Sequence, residues 1–327
     1  MSSLIHNPLQ IYCKQLLQQF TQSKNTKNPA LFLYANNART PLFMAESITR
    51  ILTSLNANTL YEKWHKVFKK LEDSFGEIDV YDAALKQFSK NKLVKIEQLN
   101  YFTKKRDKLI LKLNEKLVEK DFYFTVFSQI NNSKELNFNH KIIITQIKKH
   151  IQKELQNTLE FFNQFPKEFD NMELQVHELR RKLRWVSIYA QSLQGIIVLK
   201  NERHTERSRS AKYTWEKQFI TPTEKTSPFN KLPVAKKLTD YIYFNQKAFY
   251  ALSNIINNLG KIKDKGLSLE LLQKSFRKTM PLTKENSAML AAKQIQLNHT
   301  EDELLKEAHQ LLELFYKKYS IHQLLIL

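Results

Sequence analysis

Val176-His177-Glu178-Leu179-Arg180-Arg181-Lys182-Leu183-Arg184-Trp185 reads as one amphipathic helix. At about 100° per residue, His177, Arg180, Arg181 and Arg184 fall within about 100° of arc. Val176, Leu179, Leu183, Val186 and Ala190 lie on the other side and face a core. One face thus stacks an imidazole and three guanidiniums over two turns. Like charges four residues apart repel, and Glu173 and Glu178 are expected to offset little of this. A multivalent anion would relieve the strain, and the planar fork of arginine suits phosphate. The alternative is an ordinary solvated face with scattered ion pairs.

The surrounding chain is helical in character. It has 327 residues and 4 glycines, against about 23 at average usage. Glycine supplies hairpin turns and phosphate loops, so its scarcity argues against barrels, sandwiches, Rossmann domains and P-loops. Between Gly76 and Pro166 there is no glycine or proline. Apolar residues recur there at helical spacing: Leu109, Leu113, Leu117, then Ile143, Ile144, Ile147, Ile151, Leu155. Asn131-Asn132-Ser133 marks a break. Further helices are expected at 8–22, 42–56, 58–75, 77–92, 172–200, 234–259, 267–280, 285–297 and 301–323. Thr40-Pro41 and Asp170 read as helix starts. Residues 201–233, polar and then rich in proline, read as a flexible, solvated insertion.

Lys and Arg number 52 against 32 Asp and Glu, a net charge of +20. That excess calls for an anionic partner: a polyanion, nucleic acid or a membrane surface. No apolar run approaches the ~20 residues that span a bilayer, and no signal peptide is evident. Cys13 has no internal disulfide partner, which fits a reducing compartment. A cytoplasmic protein is the expectation.

The spacing His177-x-x-Arg180-x-x-x-Arg184 resembles the signature of the CHAD domain (conserved histidine α-helical domain). That resemblance implies an all-α fold of two pseudo-symmetric four-helix units packed into one helical bundle domain. The whole chain, 1–327, would be the single domain, with 1–130 the first, degenerate unit and 131–327 the second. Each unit in the family has a Leu-Gly turn between helices. Leu259-Gly260-Lys261-Ile262-Lys263-Asp264 resembles it in the second unit, and Phe75-Gly76-Glu77-Ile78-Asp79-Val80-Tyr81-Asp82 in the first. The first unit lacks the basic signature: with Arg50 aligned to Arg184, Phe43 and Glu46 stand where basic residues would be.

The resemblance implies non-catalytic binding of inorganic polyphosphate, with His177, Arg180 and Arg184 carried over by position. Arg181 and Lys182 are added by helix geometry and proximity. Lys261 and Lys263 lie in the second turn. Lys149 and Lys153, on the polar face of the 141–163 helix, complete the candidates, and each lone lysine has a solvated-surface alternative. Association with polyphosphate granules would follow. A nucleic-acid-binding helical protein is the runner-up, and a degenerate helical scaffold the third reading. No enzyme is expected: there is no zinc motif, nucleophile elbow or Walker loop, and no cofactor is implied. Asp79 and Asp82 read as helix caps. His309 and Glu313 read as a solvent-facing pair.

Overall fold

A computed structural model describes residues 7–55, 59–118, 122–133, 141–201, 209–234, 240–295 and 300–327. The fold is all-α, with thirteen α-helices among the described residues. In the first part of the chain these are α1 (Pro8–Ser23), α2 (Pro29–Ala35), α3 (Arg39–Leu55), α4 (Thr59–Phe88), α5 (Ile96–Val118) and α6 (Phe122–Asn132). Then come α7 (Lys141–Asn163) and a π-helical turn, Met172–His177, leading into α8 (Glu178–Ser192). After α9 (Arg209–Phe219) and α10 (Pro222–Thr226) follow α11 (Gln246–Thr279), α12 (Lys284–Ile295) and α13 (Glu301–Glu313). Local signals set many of these starts. Asn7 and Asn28 accept from the backbones of Leu9 and Leu31, each just ahead of a proline. Thr300 and Glu303 form a capping box on α13. Asn171 caps the π turn one residue after the expected Asp170 start.

The main core includes faces of α1, α3, α4, α6, α7, α8, α11 and α13, around residues such as Phe68, Phe127, Leu183, Tyr189 and Leu312. A second, smaller core holds Phe88 and Phe102 against Leu272 and Phe276. It ties α4 and α5 to the far end of α11. Polar bonds reinforce that junction: Gln98 Nε2 donates to Thr279 Oγ1 at 2.9 Å, and Ser268 Oγ to Gln87 Oε1 at 2.8 Å.

Gly76 and Gly260 are not turns: each lies deep inside one unbroken helix, α4 or α11. Asp79 and Asp82 therefore cap nothing and bond across to other helices. The 201–233 segment is not a solvated insertion over its described part. Trp215 and Phe219 lie four apart on α9 and are 3% and 1% exposed. Thr221 and Glu224 form a capping box at α10. The segment is the crossover between β1 (Ile197–Lys200) and β2 (Ile242–Asn245), which pair in parallel with Ile197 opposite Ile242. A parallel pair needs such a long connection. The expected helices 172–200 and 234–259 absorbed these strands; α8 instead ends at Ser192, and Gln194 and Gly195, both at positive φ, turn the chain into β1. The Arg/Ser-rich stretch 202–208 lies outside the described residues.

No described helix is long and apolar enough to cross a membrane. Cys13 is buried.

Candidate functional site

The basic helix α8 packs against α3, α7 and α11, and its arginines divide between two directions. Arg180 lies across α11. Its Nε donates to the Ile256 carbonyl at 3.0 Å. A Cβ on Gly260 would come within 3.0 Å of that nitrogen. Glycine lets the guanidinium rest on bare backbone; an added Cβ would make it give by a few tenths of an ångström. Arg184, one turn on, reaches toward α3, its Cζ 4.7 Å from the centre of the Phe43 ring.

A second arginine repeats the arrangement on α4. Arg39, at the start of α3, sets its Nη2 within 3.0 Å of where a Cβ on Gly76 would be. Its Nε bonds Glu72 Oε1 at 2.7 Å and its Nη1 bonds Asp79 Oδ2 at 2.8 Å. Arg39 also lies over Phe43, at 5.2 Å. The Tyr34 hydroxyl is 3.0 Å from Asp79 Oδ1 and 3.1 Å from Asp82 Oδ2. Burial, reinforced by those two carboxylates, pushes its pKa far up. Asp82 in turn meets Lys86 at 2.7 Å and Arg106 at 3.6 Å.

Arg39 and Arg180 still lie close enough to Arg184 to repel its charge, so the three cluster along the groove where α8 packs on α3, and of the three only Arg184 lacks a polar partner among the described residues. It makes no hydrogen bond or ion pair among the described residues. The nearby carboxylates of Glu72 and Asp79 are held by Arg39. Burial, then repulsion from Arg180 and Arg39, lowers the Arg184 pKa to about 10. Burial lowers that of Arg180 too, against the pull of Asp264. Phe43 gives Arg184 a π face but no acceptor for its five N–H donors.

Behind the groove lies a polar cluster inside the bundle. Arg50 Nη2 bonds Glu154 Oε2 at 2.9 Å and its guanidinium stacks 5.2 Å from the Trp185 ring. His150 sits 2.8 Å from Ser54 Oγ and 3.4 Å from the Tyr189 hydroxyl. Glu46, 3% exposed, has an Oε2 with no hydrogen-bond partner. Burial, then the charge of Glu72, raises its pKa to about 8. At neutral pH Glu46 is mainly protonated, and the carboxylate that pairs with Arg50 is that of Glu154.

The remaining candidates lie elsewhere. His177 is paired through Nδ1 with Glu173 at 2.9 Å. Arg181 and Lys182 turn to Glu178, at 2.7 and 3.5 Å, and Lys182 also lies over Phe161. The two glutamates thus neutralise the outer part of the face, contrary to the expectation from spacing. Lys263 pairs with Asp264 at 2.8 Å, and Lys261 is exposed on mid-α11. Lys149 and Lys153 are exposed on α7.

The sequence missed Arg39. Its signals were a position just before Thr40-Pro41 and a glycine on the next helix. The arginine over Gly76 is Arg39 and not Arg50. His309 is not a solvent-facing residue: it is 5% exposed and its Nε2 is 2.8 Å from the Phe165 carbonyl. Among the described residues no group of three His, Cys, Asp or Glu is arranged to hold a metal.

The chain matches no protein-family model, no curated protein and no solved structure.

Proposed function

We propose that the chain is a divergent CHAD-like protein that binds inorganic polyphosphate without turning it over. Arg184 carries this reading: a guanidinium drawn out of water, beside two more arginines, with its hydrogen-bond donors unmet among the described residues. Leaving a charged donor group unsatisfied is costly. A phosphate oxygen in the groove would accept from Arg184 and ease its repulsion with Arg180 and Arg39. Further phosphates of a chain would be attracted by the exposed cations Lys261, Lys149 and Lys153, with release of counterions. His177, Arg181, Lys182 and Lys263 each already have a carboxylate partner and would contribute by exchanging it.

Two related helical units, 1–130 and 131–327, belong to the same proposal. The support is the matched pair of an arginine laid on a mid-helix glycine, Arg39 on Gly76 and Arg180 on Gly260. One turn after Arg39 stands Phe43, where one turn after Arg180 stands Arg184. The first unit would then have kept the anchoring arginine and replaced the second one. A cytoplasmic location with polyphosphate granules is part of this proposal too.

The test is binding of long-chain polyphosphate to native protein, Arg184→Gln and Arg180→Glu/Arg184→Glu. Affinity should fall by about tenfold or more in the variants and should weaken steeply with salt in the native protein. Undiminished binding by Arg184→Gln would refute the site. Displacement by tRNA at equal charge concentration would favour the nucleic-acid reading instead. Binding no stronger than that of an unrelated protein of similar charge would leave a helical scaffold.

A further inference from the structure

A cleft on another face of α4 has a different chemistry. It opens between α4 and α5, with a volume of about 270 Å³. Its cationic wall is Lys66, Lys69 and Lys70 from α4 with Lys112 and Lys116 from α5. Two carboxylates, Asp73 and Glu77, complete the charged lining. Lys66 is paired with Glu62 at 2.6 Å and Lys69 with Asp73 at 2.6 Å. Lys70, Lys112 and Lys116 have no hydrogen bond or ion pair among the described residues. Three unneutralised ammoniums therefore share one concave surface with Glu77.

The spacing makes this costly. Lys66 and Lys70 are four apart on α4, as are Lys112 and Lys116 on α5, so each helix stacks like charges. Packing α4 on α5 then brings the two stacks together. The cleft is lined by lysine, aspartate, glutamate and serine alone. Nothing there would stack a base, seat an acyl chain or bury the apolar side of a peptide. Lysine also binds phosphate as a point charge rather than through a directed fork. At about 30 Å³ per water in the liquid, the cleft has room for about nine waters, enough for a short, compact anion.

We infer that the α4–α5 cleft is a second anion site, for a compact inorganic oligophosphate such as triphosphate. The site goes beyond the arginine groove. On α4, Glu72 and Gly76 face Arg39, whereas Lys66 and Lys70 face α5, so the groove does not supply its ligands. Oligophosphate enters as a cluster of negative charge, displaces water and counterions, and is held by Lys70, Lys112 and Lys116.

The experiment is calorimetric titration of the full chain with sodium tripolyphosphate at ~0.1 M salt. The variants are Lys70→Gln/Lys112→Gln/Lys116→Gln and, separately, Arg184→Gln. Lys70 and Lys112 are exposed and Lys116 is partly so, and circular dichroism checks that the fold survives. The lysine variant should lose affinity about tenfold or more while Arg184→Gln retains tripolyphosphate binding at the cleft. A lysine variant that binds like the native protein would overturn the site. ATP serves as the second probe. Equal or weaker binding than tripolyphosphate supports a purely ionic cleft, and binding more than about tenfold tighter overturns that chemistry. Failure of the groove would show only in Arg184→Gln against long chains, so the two proposals fail separately.

Discussion

Glu46→Gln should stabilise the protein at neutral pH and remove part of its pH dependence. The Glu46 carboxyl is buried with one oxygen unpartnered. Its pKa rises from 4.5 to about 8, first by burial and then by Glu72, with Asp73 adding and Lys69 and Arg50 opposing. His65 on α4 and Tyr189 on α8 complete its charged and titratable surroundings. The unfolded chain ionises Glu46 near pH 4.5, whereas the folded chain holds the proton to about pH 8. Between those values the folded state binds more protons, so stability falls as pH rises. The contribution is whole below about pH 4.5 and is lost through about pH 8. At pH 7, about 2.5 pH units past the unfolded midpoint, the loss is about 3 kcal/mol. Glutamine keeps the shape and does not titrate. Urea unfolding of both proteins from pH 5 to 9 measures the effect. The gain of the variant over native protein should grow with pH, reach about 3 kcal/mol at pH 7 and level off above about pH 8. A gain that is flat across that range would refute the reasoning.

Two further outcomes test the packing. Arg39→Ala should cost about 2–3 kcal/mol, because it leaves Glu72 buried without its partner, whereas Arg184→Ala should change stability by less than about 1 kcal/mol. Thermal unfolding of the pair compares them, and equal losses would contradict the assignment of Arg184 as the unsatisfied member. Trp215→Ala should cost about 3–5 kcal/mol, read by denaturant unfolding. A neutral result would return α9 to the status of a peripheral insertion.

The fold class was legible because it rests on long-range statistics of the chain. Scarce glycine and apolar residues three and four apart are enough to specify helices. What failed was the meaning of single residues. Gly76 and Gly260 resemble turn glycines, yet their use is to let a guanidinium lie against a helix. Sequence does not distinguish those two uses, since both exploit the missing Cβ. Trp215 and Phe219 were hidden by arginines, serines and prolines around them, although their spacing is helical. The strands Ile197–Lys200 and Ile242–Asn245 are four residues each, too short for alternation to declare itself. In the site, Arg180 and Arg184 were found by local spacing. Arg39 was not, because Glu72, Asp79 and Gly76 reach it only through the fold. Glu173 and Glu178 misled for the opposite reason: flexible carboxylates close in sequence could neutralise the outer face, which helix phase alone did not show.

The smaller core has a consequence for synthesis of the chain. Phe88 and Phe102 pack against Leu272 and Phe276, which leave the ribosome much later. At ~5–20 residues/s the wait is on the order of tens of seconds. Through that interval Phe88 and Phe102 have only each other and neighbours such as Tyr81, Val94 and Tyr101 for cover, and the side that meets Leu272 and Phe276 stays open. A chain cut after α7 should therefore keep that face open, and light scattering of the truncated protein against the full chain would show it as self-association.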